Sequence, residues 1–93
     1  MERTLILYTR ANCHLCEEAK AEVRSLFGGR LRVEEIDVDA DPALAARFGE
    51  EVPVGFLDGE KVFKFRLDPR RLRRLLRRAE RGGGGGEEKG GGG

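Results

Sequence analysis

The unbroken apolar run Leu5-Ile6-Leu7-Tyr8 constrains this chain more than any other feature. A strand with one face in water alternates apolar and polar residues, whereas a short strand that is apolar at every position is of the kind buried on both faces. Helices must then lie on either side of the sheet. An α/β fold is the expectation.

The rest of the chain supplies those helices in order. After the polar Thr9-Arg10-Ala11-Asn12, the residues Leu15, Cys16, Ala19, Val23, Leu26 and Phe27 recur at helical spacing, and Gly28-Gly29 stops the helix. The cysteines at 13 and 16 therefore open this helix. Leu31 to Val38 reads as a second strand. Leu31 and Val33 share one parity and Ile36 and Val38 the other, which predicts either burial on both faces or a bulge near Glu34-Glu35. Asp41-Pro42 pairs an N-cap with a proline at the first helical position, and Leu44, Ala45 and Phe48 form a short stripe ending at Gly49. Strand, helix, strand implies two parallel strands joined right-handedly. Val52 to Leu57 and Glu60 to Arg66, joined by Asp58-Gly59, then read as an antiparallel hairpin. Asp68-Pro69 repeats the cap-then-proline signature before a last helix. Its apolar face is Leu72, Leu75, Leu76 and Ala79, and arginines 70, 71, 73, 74, 77 and 78 fill the other positions.

Nine of the 14 glycines lie between Gly82 and Gly93, so residues 1–81 are expected to form one domain and residues 82–93 a flexible Gly-rich tail. A domain of that size buries a small share of its surface and needs every apolar stripe it has. The net charge of +1 argues against bulk attraction to nucleic acid or to a membrane surface, and neither is expected as a partner. Charge is nevertheless segregated. Nine acids face a single arginine between Val33 and Glu60, and eight arginines face two acids between Arg66 and Arg81. The arginine face reads as solvated, since no aromatic residue interleaves with it to stack on bases. With no apolar run near the length of a membrane span and no leader before the first strand, a cytoplasmic monomer is expected.

In a reducing compartment two cysteines at this spacing point to catalysis or metal binding rather than to a structural staple. Disulfide exchange needs a thiolate that attacks and a second thiol that resolves the mixed disulfide. Cys13 suits the first role, because a helix start offers unpaired N–H groups and the positive end of the dipole. Cys16, a turn further in, suits the second. His14 between them can stabilise a thiolate. Two cysteines do not close a four-ligand zinc site, so no metal is expected within one chain. A non-catalytic binding protein, or a metal or iron-sulfur scaffold using the same pair between two chains, is the competing reading.

Tyr8-Thr9-Arg10, Cys13-x-x-Cys16, Val52-Pro53 and the Asp58-Gly59 hairpin occur in the order βαβαββα, and in this the chain resembles the glutaredoxin-like branch of the thioredoxin fold. The resemblance implies a four-stranded mixed sheet of order 2-1-3-4 flanked by three helices. It also implies a glutaredoxin-like thiol-disulfide oxidoreductase with Cys13 and Cys16 catalytic. Pro53 would be cis beside the cysteines, Val52 would offer its N–H and C=O to a thiol substrate, and Arg10 would meet a glutathione carboxylate. The family's Gly-Gly after the fourth strand is replaced by Phe65-Arg66, with Asp68 beyond. No tightly bound cofactor is implied. Glutathione is a candidate co-substrate, protein or low-molecular-weight disulfides are the substrates, and glutathione or a thioredoxin-reductase-like partner is the electron donor.

Overall fold

A computed structural model describes residues 3–82. Its elements are β1 (Arg3–Thr9), α1 (His14–Phe27), β2 (Leu31–Asp37), a 3-10 turn (Val38–Ala40), α2 (Pro42–Phe48), β3 (Val54–Leu57), β4 (Glu60–Lys64) and α3 (Pro69–Gly82). The four strands form one sheet of order β2-β1-β3-β4. β1 and β2 are parallel, while β3 runs antiparallel to both β1 and β4. The fold is the expected thioredoxin-like α/β arrangement.

The central strand is covered on both sides, as its composition demands. Leu5 and Leu7 enter the larger core with Ala19, Val23 and Phe27 of α1 and with Leu72, Leu75 and Leu76 of α3. Tyr8 turns the other way and joins Val38, Leu44, Phe48, Val54 and Phe56 beneath α2. There Tyr8 stacks on Phe48 with ring centroids 4.5 Å apart, and Phe56 meets both rings edge-on.

Of the two readings of the parity after Leu31, burial on both faces holds and the bulge does not. β2 pairs with β1 in unbroken register from Leu31 to Asp37. Its parity switch is a change of face: Leu31 and Val33 pack on the α1 side, whereas Val38, just past the strand, reaches the core under α2. The irregularity lies in the hairpin, where the register shifts between Gly55 and Phe56. This lets the consecutive residues Val62 and Phe63 both enter the larger core. Gly55, paired with Phe63, makes room for its ring, since a Cβ there would collide with the ring edge.

Two further expectations are corrected. Leu26, counted in the apolar stripe of α1, is 46 % exposed, because the helix face that meets the sheet is centred on Cys16, Ala19, Val23 and Phe27. The second strand ends at Asp37 rather than Val38, as the Asp37 side chain accepts the Asp39 N–H and turns the chain into the 3-10 segment. The caps fall where Asp-Pro placed them: Asp41 accepts from the Ala43 N–H at 2.9 Å and Asp68 from the Arg71 N–H at 3.2 Å. α3 runs on to Gly82, and the expected flexible tail otherwise lies outside the described residues.

Candidate active site

Strand direction gathers the sequence-predicted residues at one end of the sheet. β1 ends at Thr9 and leads through Arg10 to Cys13. Tyr8 pairs with Val54, so Val52-Pro53 lies beside the same end of β1. β4 returns to this end, and the Phe65 N–H donates to the Glu51 carbonyl at 3.0 Å, tying the end of the hairpin to the residue before Val52.

Asn12 takes the left-handed conformation, φ 59°, which asparagine tolerates better than most residues, and so reverses the chain into α1. Cys13 then stands at the N-cap, with φ −105° and ψ 107°, and its Sγ accepts the backbone N–H of Cys16 at 3.1 Å. A cysteine thus does the work usually given to serine or aspartate at this position. The two cysteines are joined as a disulfide with Cα atoms 5.2 Å apart. Cys16 is fully buried, whereas Cys13 is only partly buried. When the pair is reduced, a negative Sγ at residue 13 would lie over the first N–H groups of α1 and at the positive end of its dipole.

Val52 precedes a cis peptide bond to Pro53, a side chain among the most deeply buried of the described residues. Among the described residues neither the N–H nor the C=O of Val52 has a hydrogen-bond partner. The loop therefore presents a free donor and acceptor at the start of β3, at the end of the sheet where β1 leads to the disulfide.

His14 lies in the first turn of α1 with 86 % of its side chain exposed, and its Nε2 is 2.9 Å from Glu18 Oε2 one turn on. Arg10 is committed within the protein. Its Nε and Nη2 donate to the two carboxylate oxygens of Asp39 at 2.9 and 3.0 Å, and its Nη1 donates to the Gly49 carbonyl at 2.9 Å. The hydrogen bond to Asp39 and then its charge raise the pKa of Arg10, and the same hydrogen bond and the charge of Arg10 hold Asp39 below the usual carboxylate range. Gly49 is part of this clamp, since a Cβ there would come within 2.8 Å of Arg10 Nη2. Arg10 is thus not held out toward the disulfide as a free cation, because Asp39, brought alongside by the turn after β2, takes two of its nitrogens.

A residue that sequence reasoning passed over stands at the same end. Phe65 follows β4 with φ 68°, a conformation rare for a bulky aromatic, and is 45 % exposed. Leu15, between the cysteines, lines a groove together with Phe65 and Leu67. The available signal was an apolar residue between Lys64 and Arg66 at the point where the strand pattern ends. Among the described residues no group of three or more His, Cys, Asp or Glu side chains could hold a metal ion.

Residues 4–77 match the model of the Glutaredoxin-like domain (DUF836). This chain belongs to that family. Among its relatives, an uncharacterized protein of Mycobacterium tuberculosis is 38% identical over 73 residues, covering 72% of this chain and 75% of the relative. A Dictyostelium discoideum protein named as glutaredoxin-like is 35% identical over 72 residues, covering 70% of this chain and 67% of that one. The solution structure of protein Ne2328 from Nitrosomonas europaea superposes with a TM-score of 0.74 at 30% identity, covering 82% of this chain and 93% of that one. The X-ray structure of a protein from X. campestris gives 0.63 at 31% identity, covering 78% and 95%. The glutaredoxin-like match spans both cysteines, the Val52-Pro53 loop and most of α3.

Proposed function

We propose that this glutaredoxin-like protein is a thiol-disulfide oxidoreductase that works by dithiol exchange through Cys13 and Cys16. The observation that carries the reading is the asymmetry of the pair: one cysteine is the partly exposed N-cap of the helix, and the other is wholly buried a turn behind it.

In the reductive direction the Cys13 thiolate attacks one sulfur of a substrate disulfide. A bond forms from Cys13 to that sulfur, the substrate S–S bond breaks, and the other half leaves as a thiolate that takes a proton from water. Cys16, as thiolate, then attacks Cys13 Sγ, restores the Cys13–Cys16 bond and releases the second thiolate. The substrate gains two electrons and the protein loses them. An external thiol, glutathione or a dithiol reductase, returns the protein to the dithiol. Val52 offers its free N–H and C=O to the backbone beside the substrate's reacting cysteine, and the buried Pro53 anchors that loop at the cysteine end of the sheet. His14, paired with Glu18 and open to solvent, lies at the entrance and meets the incoming disulfide.

Turnover is the test. The full chain, supplied with a dithiol donor, should reduce a protein disulfide catalytically. Cys13→Ser should abolish the activity, and Cys16→Ser should lose it with protein disulfides. Equal activity of Cys13→Ser and the parent protein would reject the reading.

A further inference from the structure

We infer that the groove between α1 and the β4–α3 connection selects the substrate: it takes an apolar side chain lying near the reacting cysteine of a polypeptide, with Phe65 as the residue that sets the preference. The inference rests on the Cys13–Cys16 exchange proposed above and names its substrate class.

The groove, of about 470 Å³, is lined by Leu15, Ala19, Phe65 and Leu67, with the carboxylates of Glu18 and Glu22 also on its wall. Leu15, which lies between the two cysteines in the sequence, is the lining residue nearest the start of α1, so the groove runs along α1 from its first turn. Leu15, Glu18, Ala19 and Glu22 recur at helical spacing on one face of α1, and Leu26 continues that face eleven residues from Leu15. Leu26 and Phe65 are the two exposed large apolar residues among the described residues. Both therefore border the same side of the molecule.

Phe65 is the informative residue. Its ring is half in water, so core burial does not account for it, and its backbone is left-handed, which a bulky side chain seldom adopts. The hydrogen bond from its N–H to Glu51 holds it there and couples it to the Val52-Pro53 loop. An apolar ring kept exposed against its backbone preference, at the end of the sheet that carries the cysteine pair and tied to the residue before Val52, is placed to be covered by a ligand. That ligand must bear the reacting sulfur and extend beyond it. Glutathione carries no apolar side chain next to its cysteine and leaves the groove empty. A polypeptide with a leucine or similar residue near its cysteine fills it, and Glu18 and Glu22 favour a basic residue alongside.

The full-length Cys16→Ser protein, reduced, would be given the symmetrical disulfides of two short peptides, one with leucine and lysine flanking cysteine and one with serine in place of leucine. Glutathione disulfide would be run in parallel. In each reaction the Cys13 thiolate forms a disulfide with one peptide, and the other peptide leaves as thiol. Adduct formation should be about tenfold faster with the leucine peptide than with the serine peptide, the scale expected for filling a small apolar site. Adding Phe65→Gly, which suits the left-handed backbone, should bring that ratio close to one. A ratio near one in the parent, or a ratio unchanged by Phe65→Gly, would overturn the inference while leaving exchange at Cys13 intact. Absence of any adduct, glutathione included, would remove the exchange reading itself and this inference with it.

Discussion

Arg10 shows how a residue's role depends on a partner far away in sequence. Its position before the cysteines suggested a cation for a ligand, but Asp39 is 29 residues on and no local pattern announces the pairing. Because the hydrogen bond from Arg10 depresses the Asp39 pKa, the carboxylate contributes stability above its unfolded value of about 3.9 and loses it as pH falls through the lower folded value. Asp39→Asn should therefore melt at a lower temperature than the parent near neutral pH, and the gap should close as pH falls below the unfolded value in thermal unfolding followed by circular dichroism. A constant gap on acidification would assign the loss to something other than the ion pair. Phe65 makes the opposite case, a residue whose backbone opposes its side chain. Phe65→Gly should raise the unfolding free energy by about 1 kcal/mol, as relief of a left-handed non-glycine residue. An unchanged or lower value would mean that the ring contributes more to the fold than its exposure suggests. The Cys13–Cys16 spacing was legible because its chemistry is local. Arg10 and Phe65 were not, since one depends on a distant carboxylate and the other on a dihedral angle.

At the level of elements, the strands and helices were readable wherever periodicity and caps agreed. Asp41 and Asp68 each stand before a proline and each accept a backbone N–H, so the two-residue Asp-Pro signature sufficed to start α2 and α3. Asp41→Ala should cost about 1 kcal/mol in denaturant unfolding, the usual value of such a cap. Parity alone left burial on both faces and a bulge as alternatives for β2, because it does not separate a change of face from an extra residue. In β2 the chain simply serves both cores, whereas in β4 Val62 and Phe63 are driven to the same side. That arrangement needs a residue without a side chain opposite. Gly55→Ala should thus destabilise by about 1–3 kcal/mol, the range for overpacking a core, read from the denaturation midpoint at constant slope. A shift below about 0.5 kcal/mol would show that the Phe63 ring can swing clear.

Across the whole molecule, the mixed sheet delivers every element of the proposed site to one end. β1 brings the cysteine helix, β3 begins with the Val52-Pro53 loop, and β4 returns with Phe65. The parallel pair was legible from periodicity and the hairpin from Asp58-Gly59, whereas the strand order and the placing of Val52-Pro53 at the cysteine end came from the resemblance to the glutaredoxin-like branch. The segregated charge is built into the fold as well: Arg71 and Arg78 of α3 reach Glu60, at 3.7 and 3.9 Å, and Arg30 holds Glu80 at 2.9 Å, so part of the basic helix face is spent on the protein's own acids. The account as a whole stands on Cys13 as the attacking sulfur. Its most direct test is mass spectrometry of the reduced Cys16→Ser protein after incubation with glutathione disulfide and with an oxidised protein substrate, followed by peptide mapping. A mixed disulfide on Cys13 that accumulates because no second thiol releases it is the predicted result, and an unmodified Cys13 after both incubations would contradict the account.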